Sequence, residues 1–285
     1  MILKEEYTLN NGIKIPKLGF GTWMIDDKSV VPIVKEALEL GYRHIDTAQA
    51  YGNERGVGEA IRTSGIDRAD IFVTSKVAAE HKTYEAVEQS INESLEKLQL
   101  ETIDLMIIHA PQPWDEFREA NYDKENIEVW ASLEDAYKNG KIRAIGLSNF
   151  NQSDVENILN NSTVQPAVNQ ILAHISNTPF ELIEYCQKNE IVVEAYSPIG
   201  HGELLNNNEL KSLAQSYNVS VPQLAIRYCL DLGLIPLPKA TGKNHIQNNS
   251  ELDFKIKEKD LEKLKNFKLI DDYGEYKNFP VYNKR

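Results

Sequence analysis

Short apolar runs alternate with longer amphipathic stretches along the chain, and each run precedes its stretch. A first pair of short runs meets at Asn11-Gly12, a dipeptide that favours the tight turn of a β-hairpin. Eight further apolar runs follow, at residues 17–23, 43–48, 71–77, 104–110, 142–150, 167–171, 191–198 and 233–240. Because these runs lack a polar face, they are typical of parallel strands that are buried on both sides.

The intervening stretches carry apolar residues at the three- and four-residue spacing of an amphipathic helix. Examples lie at 30–40, 83–98, 126–140, 221–233 and 255–269, and several end beside a glycine suited to the left-handed conformation after a helix. The alternation predicts an α/β fold, a (β/α)8 barrel whose bottom is closed by the N-terminal hairpin. We expect a single domain over residues 1–285, with a doubly wound open sheet as the alternative fold.

Composition and charge limit the classes of protein to which the chain can belong. The chain has 285 residues, 41% of them hydrophobic and 26% charged, which is typical of a globular protein. Its net charge of −12 argues against nucleic acid or an anionic membrane as the main partner. The apolar runs are too short for a signal peptide or a membrane span, and Cys186 and Cys229 lack metal-type spacing. We therefore expect a cytoplasmic protein.

Polar side chains follow the predicted strands at their carboxyl ends, where (β/α)8 barrels carry their active sites. They are Asp46 with Tyr51, Lys76, His109, Ser148 with Asn149, Asn169 with Gln170, and Tyr196 with Ser197. Each alone has an ordinary structural explanation, such as a helix cap or a hydrogen-bonded core residue. Together they place four different titratable side chains around one cavity, which favours an active site.

The titratable residues suit proton transfer to a carbonyl oxygen. A buried Asp46 is costly unless it is paired, and Lys76 on the next strand is its natural partner. A cation beside Tyr51 favours the phenolate, so we expect its pKa to fall toward the working pH and the residue to act as general acid. His109 would hydrogen-bond the substrate oxygen. None of these four residues can supply the electron pair that reduces the carbonyl carbon, so a separate donor is needed.

Two motifs for nucleotide binding fail in this chain. The glycine-rich segments at 19–24 and 56–61 have Met24 and Ile61 where the dinucleotide motif needs its third glycine. The phosphate-loop pattern near Thr241 has Leu237 in place of its first glycine. A nucleotide would therefore have to bind to a different loop.

Several segments carry a resemblance to a known family. They are GYRHIDTAQAYGNERGVGEAI at 41–61, TSKV at 74–77, IIHAP at 107–111, GLSNF at 146–150, AVNQI at 167–171, AYSPIG at 195–200 and LPKATGKNHIQNN at 237–249. The chain resembles the aldo-keto reductases over nearly its whole length, and is most similar to bacterial aldehyde and diketogluconate reductases. The resemblance implies a barrel that binds NADPH without the dinucleotide motif and reduces the carbonyl of a small-molecule substrate to an alcohol.

The resemblance also implies roles for individual residues. Tyr51 would be the general acid, Lys76 and Asp46 the pair that tunes it, and His109 the residue that orients the carbonyl. Implied cofactor contacts are Gly21, Thr22, Asp46, Ser148, Asn149, Gln170, Tyr196 stacked on the nicotinamide, Ser197, Pro198, Ile199, His201, Leu204, Lys239, Ala240, Thr241, His245 and Asn249. Implied substrate contacts are Trp23, Tyr51, His109, Ala110 and Trp114, with Tyr273, Tyr276, Phe279 and Tyr282 of the C-terminal loop at 271–285 as further candidates.

Two departures from the family pattern affect these expectations. At the adenosine 2′-phosphate site the family usually has Lys-Ser followed by Arg, whereas this chain has Lys239-Ala240 and His245. Because histidine cannot grip a phosphate in the planar, bidentate way of arginine, we expect NADPH to be preferred less strongly, with NADH as the alternative. Ala110 replaces a common Trp after the catalytic His, which widens the pocket unless Trp114 fills the space.

Other functions compete with reduction. His44 and Asp46 have the spacing of the first metal ligands in an amidohydrolase-type barrel, but the later strands lack the further imidazoles. An aldolase with Lys76 as Schiff-base lysine needs a lowered pKa, which a neighbouring carboxylate opposes. A non-enzymatic binding protein with the same fold stays open. We expect a monomeric, metal-free NADPH-dependent aldo-keto reductase.

Overall fold

A closed ring of parallel strands organises the structure, a computed structural model that describes residues 1–270 and 272–283. The hairpin strands are β1 (Glu6–Thr8) and β2 (Lys14–Pro16). The barrel strands are β3 (Phe20–Gly21), β4 (His44–Asp46), β5 (Phe72–Val77), β6 (Ile103–Ile108), β7 (Ile142–Ser148), β8 (Val168–Leu172), β9 (Val192–Tyr196) and β10 (Ile235–Leu237). They pair in sequential order. All eight predicted barrel strands and the predicted (β/α)8 fold are confirmed.

Backbone hydrogen bonds from the first barrel strand to the last close the ring. The amide of Gly19 donates to the carbonyl of Pro236 and that of Gly21 to Pro238, each at 3.1 Å. Glycine permits this close approach: a Cβ on Gly19 would lie 2.4 Å from a Leu237 side-chain carbon and 2.8 Å from His44 Nδ1, and one on Gly21 would lie 3.1 Å from the Leu237 carbonyl oxygen. The glycines of the failed dinucleotide motif at 19–24 therefore serve barrel closure.

Helices surround the strands as the periodicity predicted. The α-helices are α1 (Val30–Glu39), α2 (Glu54–Arg62), α3 (Tyr84–Leu98), α4 (Asp123–Lys138), α5 (Gln152–Asn161), α6 (Phe180–Lys188), α7 (Asn208–Ser216), α8 (Val221–Asp231), α9 (Lys243–Asn248), α10 (Glu258–Lys265) and α11 (Pro280–Asn283). The helix predicted at 255–269 is confirmed in its centre, as α10. Gly41, Gly140 and Gly233 take the left-handed conformation just after α1, α4 and α8, as expected. None of the described helices is both long and apolar enough to cross a membrane.

The hairpin covers the amino-terminal end of the barrel. The side-chain amide of Asn10 donates to the carbonyl of Pro166 at 2.9 Å, and that of Asn11 to the carbonyl of Arg143 at 3.0 Å. Leu9 and Ile15 pack into an apolar cluster with residues from the barrel interior, including Leu105. Because this end is filled with side chains, the cavity described below lies at the opposite end.

Candidate active site

A buried ion pair lies at the carboxyl ends of β4 and β5. The Lys76 ammonium is 2.7 and 2.8 Å from the two carboxylate oxygens of Asp46 and 2.8 Å from the carbonyl oxygen of Thr47. Burial alone would lower the pKa of Lys76, but the charge of Asp46, together with Tyr51 and the hydrogen bonds to both residues, more than offsets this and raises it. Lys76 is therefore a fixed cation, as the sequence predicted.

Tyr51 lies beside this pair, in a 3-10 turn that directly follows β4. The Lys76 ammonium is 4.8 Å from the centre of the Tyr51 ring. Desolvation raises the pKa of Tyr51, while Lys76 opposes the rise and Asp46 adds to it. The prediction of a lowered pKa was wrong for this arrangement, because desolvation outweighs the effect of the Lys76 charge, part of which Asp46 also cancels. Tyr51 is therefore held in its protonated form.

His109 follows β6 and faces Tyr51 across the cavity, with 5.7 Å between ring centroids. Burial lowers the pKa of His109 well below its ordinary value, and Lys76 acts in the same direction, so the imidazole is neutral. Trp114 packs edge-on against His109 at 5.2 Å. It belongs to the apolar cluster that contains Ala110, and thus occupies the space that the small residue after His109 leaves.

The end of β7 and the middle of β8 supply amides and hydroxyls to the same cavity. The Asn149 side chain donates to the carbonyl of His109 at 2.9 Å and accepts from the Tyr196 hydroxyl at 2.7 Å. Ser148 donates to the carbonyl of Gln170 at 2.9 Å. A ligand that contacts the Asn149 oxygen therefore competes with Tyr196, the residue expected to stack on a nicotinamide ring.

An aromatic cover, formed by Trp23, His201, Tyr276, Phe279 and Tyr282, joins the loop after β9 to the C-terminal segment. His201 lies 2.5 Å from the Tyr282 hydroxyl and stacks on Tyr276 with ring centroids 3.9 Å apart. Trp23 packs edge-on against Phe279 at 5.1 Å. Burial, aided by Lys239, lowers the pKa of His201 to about 4. The C-terminal loop predicted to shape the pocket thus contacts it through its described residues; residues 271, 284 and 285 lie outside them.

The cavity that these elements enclose has a volume of about 660 Å³. Predicted residues that line it are Gly21, Trp23, Asp46, Tyr51, His109, Trp114, Ser148, Asn149, Gln170, Tyr196, Ser197, Pro198, Ile199, His201, Lys239, Tyr276, Phe279 and Tyr282. Lining residues that sequence reasoning did not name individually are Met24, Ala50, Gly202, Leu205, Leu237, Pro238, Pro280 and Val281. These are apolar or small residues, and nothing in their local sequence distinguishes them from packing residues.

Eight predicted contacts are absent from the cavity wall: Thr22, Ala110, Leu204, Ala240, Thr241, His245, Asn249 and Tyr273. Thr22 is buried and donates its hydroxyl to the carbonyl of Asp46 at 2.9 Å, so it supports the catalytic loop rather than facing the cavity. Leu204 belongs to the hydrophobic core. Thr241 and His245 are exposed beyond Lys239, and their contacts with an adenosine phosphate stay predictions.

The metal-ligand alternative has no support in the described part of the chain, which holds no group of three or more His, Cys, Asp or Glu side chains able to bind a metal ion. His44 instead hydrogen-bonds Thr74 at 2.9 Å inside the barrel. Burial lowers the pKa of His44 to about 3, with Lys76 acting in the same direction. Its role is that of a neutral core residue.

The polar groups of the cavity fit a nicotinamide. Gln170 donates its two amide hydrogens to the carboxyl groups of Asp46 and Glu194, at 2.9 and 2.8 Å. This leaves its oxygen as the amide atom that can face the cavity, where it can accept from a carboxamide. Tyr196 offers a ring for stacking, and Lys239 adds a cation to the cavity wall. The fold and this site together define an oxidoreductase built on a (β/α)8 barrel.

Comparison with known proteins identifies the family. The model of the aldo/keto reductase family matches residues 17–268, and the chain belongs to that family. The glyoxal reductase of Bacillus subtilis is 38% identical over 264 residues, which cover 92% of each chain. An aldo-keto reductase from Brucella melitensis superposes with a TM-score of 0.87 at 37% identity, covering 93% of this chain and 98% of the other. A Bombyx mori aldo-keto reductase solved in complex with NADP has a TM-score of 0.84 at 35% identity, covering 98% and 99%.

Proposed function

We propose that the protein reduces aldehydes, and some ketones, to alcohols with NADPH, and that Tyr51 is the general acid. The observation that carries this proposal is that Tyr51, Asp46 and His109 line a single cavity, with Lys76 paired to Asp46 and beside the Tyr51 ring. Family membership and the NADP complex of the Bombyx mori relative support the cofactor.

Each residue of the four has a distinct role in proton transfer. Tyr51 donates its hydroxyl proton to the carbonyl oxygen as negative charge develops there. The Lys76 ammonium, held by Asp46, stabilises the phenolate that results. Neutral His109 donates a hydrogen bond to the same oxygen and orients the carbonyl without adding a net charge. The arrangement favours the alkoxide-like transition state over the ground state.

The cofactor would extend from the catalytic end of the cavity to its cationic end. Gln170 and Ser148 would hold the carboxamide, Tyr196 would stack on the ring, and Lys239 would contact the adenosine phosphate. When bound, the reduced nicotinamide supplies the hydride that reduces the carbonyl carbon.

The substrate side of the cavity has aromatic and apolar walls. Trp23, Trp114, Phe279 and Val281 line it, and such walls favour the apolar part of a small aldehyde. The name of the Bacillus subtilis relative adds small dicarbonyls, such as glyoxal, to the compounds to be tested. We propose that the protein acts as a cytoplasmic monomer.

The test follows NADPH absorbance with an aldehyde panel for wild type and Tyr51→Phe. We expect turnover by the wild type and a loss in kcat of at least about a hundredfold in the variant, because general-acid catalysis contributes about that much. NADPH affinity should be unchanged, since the phenylalanine keeps the ring. Tyr84→Phe, which removes a hydroxyl that donates to Asp135 at the protein surface, outside the cavity lining, serves as the matched control and should retain activity.

Three results would count against this assignment. Full activity in Tyr51→Phe would refute the role of Tyr51 as proton donor. NADPH binding by the wild type without turnover of any aldehyde would favour a binding protein with this fold. Failure to bind NADPH would reject the cofactor itself.

A further inference from the structure

Gln170 sits between two buried acids. Its side-chain nitrogen is 2.9 Å from Asp46 Oδ2 and 2.8 Å from Glu194 Oε2. Gln170 and Glu194 are directly opposite each other on the parallel strands β8 and β9. A carboxyl oxygen of Asp46 accepts hydrogen bonds and cannot donate one while it is paired with Lys76. The amide nitrogen, not the oxygen, must therefore point between the two acids.

Glu194 is completely buried inside the barrel. The nearest titratable side chain, His44, is 3.6 Å away and carries no charge near neutral pH. Lys76 is already held by Asp46. Burial and the nearby Asp46 raise the pKa of Glu194 to about 8, with Gln170 and Lys76 opposing the shift. Glu194 is thus an uncharged acid, not one half of an ion pair.

Glu194 fixes the choice between two orientations of the Gln170 amide. With Asp46 alone, one amide hydrogen would be satisfied and the other could turn toward the cavity. With Glu194 accepting the second hydrogen, both hydrogens point away, and the oxygen is the only polar atom of the amide left for the cavity that Gln170 lines. A cavity-facing oxygen accepts from an NH2 group, whereas a cavity-facing nitrogen would repel it.

We propose that Glu194 is a positioning residue, whose uncharged carboxyl group holds the Gln170 amide with its oxygen toward the cavity, ready to accept a hydrogen bond from the carboxamide NH2 of the nicotinamide. The proposal rests on the proposed use of a nicotinamide cofactor. It assigns to the buried acid a function in cofactor orientation, exerted through its hydrogen bond with Gln170.

The experiment measures ligand affinity by calorimetry, without turnover. The two ligands are NADP⁺ and 2′-phospho-ADP-ribose, which has the same phosphates and adenosine but no nicotinamide. The variants are Glu194→Met, which removes the acceptor at similar length, and Glu194→Gln, which keeps a neutral acceptor. Gln170→Met and the double variant Gln170→Met with Glu194→Met complete a cycle. Glu128→Gln, at an exposed position, is the control.

We expect Glu194→Met to weaken NADP⁺ binding about tenfold, the effect of one lost hydrogen bond, and to leave 2′-phospho-ADP-ribose within about twofold. Glu194→Gln should restore NADP⁺ affinity, and Glu194→Met should add nothing to the effect of Gln170→Met. Equal weakening of both ligands would show a general structural role and overturn the proposal. So would unchanged NADP⁺ affinity in Glu194→Met, a failure of Glu194→Gln to restore it, or additive effects in the double variant.

The outcome for the wild type separates the two proposals. If the wild type binds neither ligand, the proposed cofactor is wrong and the role of Glu194 fails with it. If the wild type binds NADP⁺ and reduces aldehydes while Glu194→Met binds NADP⁺ equally well, only the role of Glu194 is overturned.

Discussion

At the scale of single residues, the chemistry of the site depends on which buried side chains are charged and which are uncharged. Lys76 is buried but charged because Asp46 accompanies it, whereas Glu194 is buried without a cation of its own and is uncharged. The pairing of Asp46 with Lys76 was predictable, because both side chains end adjacent strands. The rise in the pKa of Tyr51 was not, because it depends on how completely the loops after the strands exclude water.

One residue-scale prediction concerns the choice between NADPH and NADH. His245 is exposed and does not line the cavity, and it stands where the family pattern has an arginine. We expect His245→Arg to lower the KM for NADPH about threefold to tenfold, because arginine grips a phosphate in a bidentate way. Steady-state kinetics with both cofactors measures the effect.

The KM for NADH should not change in His245→Arg, since NADH lacks the 2′-phosphate. His245→Gln provides the control for size without charge and should not improve NADPH use. A parallel improvement with both cofactors would contradict the assigned position of the 2′-phosphate.

At the scale of elements, glycines of α2 permit close packing. Gly56 and Gly58 belong to one of the segments that fail to match the dinucleotide motif. In the structure, the backbone of another segment packs directly against each of them. A Cβ on Gly58 would lie 2.0 Å from the carbonyl oxygen of Leu98, the last residue of α3, and one on Gly56 would lie 2.1 Å from the carbonyl oxygen of Asp27. The helix that follows the catalytic loop is therefore held against its neighbours by backbone contact.

We predict that Gly58→Ala destabilises the protein by about 1–3 kcal/mol, because the added methyl group forces α2 away from α3. The better helix propensity of alanine, about 1 kcal/mol, offsets only part of this. Urea unfolding measures the change. Glu59→Ala, at the exposed neighbouring position, should stay within about 0.5 kcal/mol of the wild type; a Gly58→Ala variant as stable as this control would refute the close contact.

At the scale of the whole molecule, buried groups that stay uncharged make folding stability depend on pH. The pKa of His44 is about 3 in the folded protein and 6.5 ordinarily, so the unfolded chain takes up a proton first and stability falls as the pH drops below about 6.5. For Glu194 the folded value is about 8 and the ordinary value 4.5. The folded protein thus keeps a proton that the unfolded chain releases, and stability falls as the pH rises between these values.

The contribution of Glu194 to the pH dependence of folding stability can be isolated by comparing the wild type with a variant that cannot titrate at this position. We expect the stability of Glu194→Gln, relative to the wild type, to increase as the pH is raised from about 5 to about 8, because the glutamine has no proton to lose. Urea unfolding across this range measures the difference, and Glu128→Gln, an exposed substitution, should show none. A constant difference between Glu194→Gln and the wild type would mean that Glu194 has an ordinary pKa.

The sequence by itself determined the order and number of the barrel strands, because each apolar run is long enough to be buried regardless of its neighbours. It also predicted that Asp46, Tyr51, Lys76 and His109 lie close together, since the carboxyl ends of parallel strands meet at one rim. The aromatic cover and the Glu194–Gln170–Asp46 contact were decided only by the tertiary structure. They join segments far apart in the chain, and whether side chains from such segments meet depends on loop paths and on burial, which no local pattern encodes.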